Sequence, residues 1–249
     1  MSQYDNIAQK YSDPKRENHL QGKHQIYSSW LRHCGQVKGL EVLDLGCGSG
    51  RSSRLLAQRG AKVTGLDNSI EMLKIARKIE TEDPLGINYI FADAQDYDLG
   101  KQFDLITPSF LLHYAQTRKQ LESFVSAIKR HLKKQGRLVA ININPDNPVL
   151  DFDPVIKNTN SVSWVDPPWK NGSQLLVTLY SSQGQARVSF YCWYWSKEVY
   201  EEIFAKYGLS GVEWHWPKMD EEGKTLRPND WQKLEQKTGL AIITARNSE

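Results

Sequence analysis

The sequence predicts an α/β fold, a doubly wound, mostly parallel sheet of seven strands covered by helices on both faces. Three observations predict it. Residues 41–142 alternate short β-rich runs with amphipathic helical stretches, the pattern of parallel strands joined by crossover helices. A glycine-rich turn, Gly46-Cys47-Gly48-Ser49-Gly50, separates the first strand from the first helix of that stretch, as in Rossmann-like sheets. Two late β-rich runs, Gly211–Trp216 and Leu240–Thr244, bring the five strands of residues 41–142 to seven.

The first strand is Glu41–Leu45, and a helix near Arg51–Gln58 follows the glycine turn. The second strand, Ala61–Leu66, leads through Asp67-Asn68-Ser69 into a helix whose Met72, Ile75, Ala76 and Ile79 share one stripe. Ser69 is the expected N-cap, with Glu71 in the positive first turn. Strands follow at Ile87–Phe91 and Phe103–Thr107, and then a helix with Leu121, Phe124, Val125, Ile128 and Leu132 at spacings of three and four. Gly136 is expected to end that helix. The fifth strand, Arg137–Ile143, runs into Asn144-Pro145-Asp146-Asn147-Pro148, where the pattern breaks. Beyond it, Leu175–Tyr180 and Arg187–Trp195 alternate across a turn containing Gly184 and read as a β-hairpin. Ser196 starts a helix reaching Lys206, and Gly208 stops it.

Composition narrows the function. The chain has 249 residues, 24% charged, with 32 Lys and Arg against 29 Asp and Glu and a net charge of +3. That is far from the basic face that nucleic-acid binding needs. No run approaches the roughly 18 apolar residues of a membrane span, and MSQYDNIAQK has no signal-peptide core. A cytoplasmic protein acting on a small molecule, with neither membrane nor nucleic-acid partner, is expected, as monomer or homodimer. Cys34, Cys47 and Cys192 show no metal spacing, so no metal is expected. Seven of the eight tryptophans lie within residues 164–231, which marks an aromatic-rich insert distinct from the glycine-turn half.

The glycine turn carries the chemistry. Asp67 ends the second strand 21 positions after Gly46, close to the separation at which such folds present a carboxylate to ribose hydroxyls. A dinucleotide fingerprint needs G-x-G-x-x-G, but here the third glycine comes one residue early, at Gly50, with Arg51 in its place. Asp44, two residues before the turn, repels a pyrophosphate but attracts a ligand bearing a sulfonium and an ammonium. S-adenosylmethionine meets both demands, leaving S-adenosylhomocysteine as product. A nicotinamide-dependent oxidoreductase and a non-catalytic nucleotide binder are the rival classes.

The turn Val42-Leu43-Asp44-Leu45-Gly46-Cys47-Gly48-Ser49-Gly50, the segment Gly65–Leu73, the stretch Phe91-Ala92-Asp93-Ala94 and the strand Phe103-Asp104-Leu105-Ile106 resemble those of class I S-adenosylmethionine-dependent methyltransferases. The resemblance implies that Gly46, Gly48 and the backbone at Cys47 and Ser49 hold the methionine part. It gives Asp67 the ribose hydroxyls, Asn68 and Met72 the adenine ring, Asp93 and Ala94 its edge, and places Asp44 and Pro108 beside the cofactor. Tyr4–Tyr11 resembles the opening of small-molecule members of the ubiquinone and toxoflavin kinds, whose first helix folds over the cofactor as a lid. Ser109–Tyr114, Phe190–Ser196 and Trp214-His215 resemble toxoflavin-type N-methyltransferases. On this reading the chain is a single domain over 1–249: lid helices in 1–38, cofactor core in 39–145, an aromatic cap in 146–196, and a last helix and strands in 197–249.

His113 follows the fourth strand, at the carboxyl edge where ligands of open α/β sheets bind. It is either a base for the nucleophile or a packed turn histidine. Tyr11 and Tyr114 are candidates to touch the sulfonium, or they pack the lid. Tyr4, His113, Trp164, Trp169, Tyr191, Trp193 and Trp195 are the candidate substrate contacts, since aromatic walls suit flat or cationic ligands. His19, His24, His33 and His131 show no ligand spacing, so solvated or capping roles are expected. The expected reaction is in-line methyl transfer to a nitrogen of a small planar or cationic metabolite, with a hydroxyl or carboxylate oxygen as the alternative. Positioning alone is worth roughly 7–11 kcal/mol of such a barrier. The fourth strand ends Thr107-Pro108-Ser109-Phe110 and lacks the Asn of N-P-P-Y-type enzymes that methylate polymers.

Overall fold

The structure is a computed structural model that describes residues 2–12, 21–150, 160–181, 184–229, 231–236 and 238–248. Short, largely buried runs in β1 (Glu41–Leu45), β2 (Lys62–Asp67), β3 (Asn88–Phe91), β4 (Phe103–Thr107) and β5 (Leu132–Ile143) build a parallel sheet. Two late strands, β9 (Leu209–His215) and β10 (Leu240–Asn247), extend it antiparallel. The order is β3-β2-β1-β4-β5-β10-β9, with the switch point between β1 and β4, where open α/β sheets form their ligand crevice.

Both faces are covered. On one, Trp30 of α2 (Ser28–Cys34), Leu56 of α3 (Arg51–Ala57) and Leu73 of α4 (Ile70–Glu82) pack on Val42, Val63 and Leu105. On the other, Leu121, Phe124, Val125 and Ile128 of α5 (Arg118–His131) and Tyr200, Ile203 and Phe204 of α6 (Lys197–Lys206) cover Leu43, Leu45, Ile106 and Leu138. The Ser69 Oγ accepts from the Met72 N–H and starts α4 as a side-chain cap. α1 (Ala8–Tyr11) is a single turn, and a π-helical segment, Gly22–Tyr27, runs directly into α2. Two short helices, α7 (Glu221–Leu226) and α8 (Trp231–Gln236), precede β10.

Three elements differ from the sequence reading. α5 stops at His131 rather than near Gly136, because β5 starts at Leu132, opposite Phe103, and a register shift with Gln135 at φ 61 absorbs the polar run Lys133–Gln135. Ser196 holds the N-cap position of α6 but its side chain makes no capping bond. The expected hairpin is part of a three-stranded antiparallel sheet: β6 (Asn160–Trp164) pairs with β7 (Gln174–Tyr180), which pairs with β8 (Ala186–Trp193). Val162, Leu175, Val177, Leu179, Val188, Phe190, Cys192 and Tyr194 cluster with Ile143 and Leu150, and Tyr11 and Tyr114 pack against them. No helix among the described residues is long and apolar enough to cross a membrane.

Candidate active site

The glycine turn requires backbone that only glycine adopts readily. Gly46, Gly48 and Gly50 have φ of 76°, 54° and 86°, and a Cβ on Gly50 would overlap the Tyr89 hydroxyl. The turn opens onto a cavity of about 600 Å³ between the carboxyl edge of the large sheet, the N-terminal segment and the small sheet.

At one end stand the residues expected to hold the cofactor. Gly46, Cys47, Gly48, Asp67, Asn68, Met72, Asp93 and Ala94 all line the cavity. Asp67 Oδ2 accepts from the Gly48 N–H at 2.8 Å and Oδ1 from the Ser69 N–H at 2.8 Å. The carboxylate is thereby fixed at the strand end, with its pKa raised by burial against those backbone bonds. Asp93 Oδ1 accepts from the Gln95 N–H at 2.9 Å. The donor and acceptor set, a fixed carboxylate beside a glycine cradle and an apolar Met72 side chain, fits a nucleoside with free ribose hydroxyls.

Asp44 and Pro108 lie elsewhere. Asp44 shares the parity of Val42 in β1 and points toward α3, fully buried beneath the turn. Its Oδ2 accepts from the hydroxyls of Ser52 and Ser53 at 2.6 Å each, and its Oδ1 from Thr107 Oγ1 at 3.3 Å. Burial pushes its pKa up to about 6. It therefore anchors α3 to the turn rather than facing a ligand, and it is absent from the cavity wall, as is the buried Pro108.

In the middle of the cavity an aromatic group gathers. Tyr4, Tyr11, Tyr114 and Phe190 pack with ring centroids 4.9–6.3 Å apart, and the Tyr4 and Tyr114 hydroxyls share a hydrogen bond. Burial holds both of those phenols well above their ordinary pKa, so they are neutral hydroxyls at physiological pH. His113, on a 3₁₀ turn at Leu112–Tyr114, lines the same region. Its Nδ1 lies 2.9 Å from Asn142 Oδ1, and burial pushes its pKa down to about 4, against the pull of that bond. A neutral His113 donates Nδ1–H to Asn142 and leaves Nε2 as an acceptor.

The structure thus brings Tyr4, Tyr11, His113, Tyr114, Tyr191 and Trp193 to one cavity. It does not bring the other tryptophans. Trp195 is buried in the α5–α6 core with its Nε1–H donated to Ala115 O at 2.8 Å. Trp164 and Trp169 pack with each other and Tyr194 away from the cavity, Trp169 on the surface. Trp164 shares the Val162 face but stands at the end of β6, off the cavity wall, and Trp169 and Trp195 lie outside the strands. His24 and His131 are buried, not solvated: His24 pairs with Asp220 at 3.0 Å, and His131 bonds Ala127 O and stacks on Tyr97. His19 and residues 13–20 of the expected lid lie outside the described residues.

Residues given no individual role by the sequence also contribute. Asn142 sits in an apolar run that reads only as strand, and Ser109 is a buried hydroxyl on the cavity wall without a protein partner. Tyr27 of the π-helical segment lines the far rim, with the Arg51 guanidinium 4.5 Å from its ring. Gln3 clips the N-terminal segment to β8, its side chain exchanging hydrogen bonds of 3.2 and 3.3 Å with the Tyr191 backbone. Asp5 Oδ1 accepts from Ser69 Oγ at 2.7 Å.

Comparison with known proteins agrees with this fold. Residues 42–136 match a family model described as a methyltransferase domain. The ubiquinone biosynthesis O-methyltransferases of Pseudomonas aeruginosa and Stutzerimonas stutzeri are each 31% identical over 152 residues. Those matches cover 58% of this chain and 63% of theirs, so the chain spans less than two thirds of the length of the curated relatives it matches. Among solved structures, the CcbJ methyltransferase from Streptomyces caelestis superposes with TM-score 0.64 at 17% identity, over 99% of this chain and 97% of that one. An S-adenosylmethionine-bound amino pentose methyltransferase from Micromonospora echinaspora gives TM-score 0.56 at 17% identity, over 99% and 97%. Residues 42–136 thus match a methyltransferase domain, and the chain shares the fold of S-adenosylmethionine-dependent methyltransferases of known structure.

Proposed function

We propose that the protein transfers the methyl group of S-adenosylmethionine to a nitrogen of a small planar metabolite. The observation that carries this reading is that one cavity joins the glycine turn, Asp67, Asn68, Met72 and Asp93 to the Tyr4–Tyr11–Tyr114 group and His113. S-adenosylmethionine supplies an already electrophilic methyl on a sulfonium. Asp67 would bind the ribose hydroxyls, Met72 and Asn68 the adenine face, Asp93 and Ala94 its edge, and Arg51 the carboxylate of the methionine part. The tyrosine ring faces and hydroxyls would surround the sulfonium and exclude water. What remains for this chain is to align the nucleophile, for which rigid packing suffices.

The state of His113 favours nitrogen over oxygen. A neutral amine or ring nitrogen attacks through its lone pair and needs no base beforehand, whereas a hydroxyl has to lose its proton to a base better than an imidazole of pKa about 4. His113 Nε2 would accept a hydrogen bond from an N–H and so aim the lone pair at the methyl. The resemblance of Ser109–Tyr114 and Phe190–Ser196 to toxoflavin-type N-methyltransferases supports the same choice. The second reading, transfer to oxygen, is supported by the names of the curated relatives at 31% identity. Incubation with labelled S-adenosylmethionine and a metabolite extract, followed by mass identification of the labelled product, tests the proposal. An N-methylated small molecule is expected, an O-methylated product selects the second reading, and label appearing only in protein or nucleic acid contradicts both.

A further inference from the structure

The cavity continues past the tyrosines, and its two halves differ in chemistry. The charged residues on its described wall, Arg51, Asp67 and Asp93, belong to the glycine-turn half. Beyond Phe190 the wall is built from Ile143, Leu150, Val162, Val177, Leu179 and Leu240. Register explains why these six meet. Val162 lies opposite Val177, and Val177 opposite Phe190, so one apolar row crosses the inner face of the small sheet; Leu179 follows Val177 on that face. Ile143 lies opposite Leu240 at the ends of β5 and β10, forming the facing wall from the large sheet. Leu150 bridges to Val162 and closes the side between them. The polar side chains at or beside this half among the described residues, Gln21, Asn160 and Thr238, are uncharged, and the Thr238 hydroxyl is engaged with the Leu240 backbone.

We infer that this half is the acceptor's body site, and that the acceptor carries an uncharged, hydrocarbon-rich body on its nucleophile. The inference rests on the methyl-transfer reading for the position of the nucleophile, beside Tyr114 and His113. Of the planar or cationic acceptors expected from the sequence, it favours a neutral one with an apolar body over a cationic one. A charged substituent placed between the Val162–Val177–Phe190 row and the Ile143–Leu240 pair would surrender its hydration without a counter-charge on the described wall. A methylene placed there leaves water for close-packed aliphatic neighbours, which strengthens binding by about fourfold per group. The body therefore contributes affinity by burial, while the tyrosine end contributes orientation.

The test uses the full chain loaded with S-adenosylhomocysteine and a single ring series, 4-methyl- through 4-hexylaniline, with 4-aminobenzoate and the 4-trimethylammonio analogue as charged members. Calorimetry first records S-adenosylhomocysteine binding, so failure of the methyl-transfer reading shows as no binding at that step. Given that binding, Kd is expected to fall up to about fourfold with each added methylene until the compartment is filled, with both charged members at least tenfold weaker than 4-ethylaniline. Val177→Thr, nearly isosteric and at home in a strand, should weaken the hexyl member several-fold and leave 4-methylaniline unchanged. A flat series, a charged member that binds as tightly as 4-ethylaniline, no binding of the series to the loaded protein, or a Val177→Thr protein with unaltered hexyl affinity would overturn the inference.

Discussion

Two buried titratable residues, Asp44 and His113, show what the site asks of its side chains. Burial raises the Asp44 pKa to about 6 and lowers that of His113 to about 4. The folded state therefore holds a proton on Asp44 more tightly than the unfolded chain does, and Asp44 takes stability away as pH rises from about 4 through 6. His113 works oppositely: the fold prefers it neutral, so its contribution is present above its ordinary value near 6.5 and is lost as pH falls toward 4. The two windows overlap and mask each other in the wild type. Asp44→Asn keeps an oxygen for Ser52 and Ser53, and it should stabilise the protein at pH 7.5 by on the order of 2 kcal/mol. It should also uncover a loss of stability on acidification from pH 6.5 to 4; denaturant unfolding across that range reads both effects, and unchanged stability at pH 7.5 would show that Asp44 is not strained by burial. At this scale the sequence was partly legible. Asp67 and the three glycines announce themselves because their spacing is dictated by backbone geometry. Asp44 looked like a ligand contact because strand parity, not distance from the turn, decides which way it points, and Asn142 gave no signal because its role depends on a neighbour 29 positions away.

At the scale of elements, short-range chemistry was read well and long-range pairing was not. β1, β4 and α4 follow from alternation, helical spacing and the Ser69 cap. The end of α5 did not follow from Gly136, because β5 recruits residues 132–136 by pairing with β4. β6 was missed because Asn160-Ser161-Val162-Ser163-Trp164 is polar and short, and becomes a strand only by pairing with β7. The N-terminal segment joins both halves of the site through Asp5 to Ser69, Gln3 to Tyr191, and Tyr4 and Tyr11 to Phe190. Its few contacts with the large sheet lead us to expect that removing residues 2–12 leaves a cooperative unfolding transition within a few degrees of wild type while kcat/KM drops by ten-fold or more. Undiminished turnover by the truncated protein would take Tyr4 and Tyr11 out of the site.

At the scale of the molecule, the tryptophans trace the division of labour. Trp30 fills the α2–α4 face with its Nε1–H on Val139 O, Trp195 fills the α5–α6 face, and Trp193 reaches the cavity. The crowding of tryptophan after residue 160 therefore marks the small sheet and the late strands, but most of those rings support the walls rather than form them. The acceptor half of the cavity is aliphatic, a feature that composition could not reveal because valine and leucine are ordinary core residues until register places them opposite one another. In the glycine-turn half, Gly46, Cys47, Gly48, Asp67, Asn68, Met72, Asp93 and Ala94 line the cavity as the sequence led us to expect, whereas Asp44 and Pro108 do not. The central claim, that this half holds S-adenosylmethionine through Asp67, is tested most directly by calorimetric titration of the wild type and Asp67→Ala with S-adenosylmethionine. The account predicts saturable binding to the wild type and a loss of about 1–3 kcal/mol in the variant, roughly 5- to 150-fold in Kd. No binding to the wild type, or equal affinity in Asp67→Ala, would contradict it.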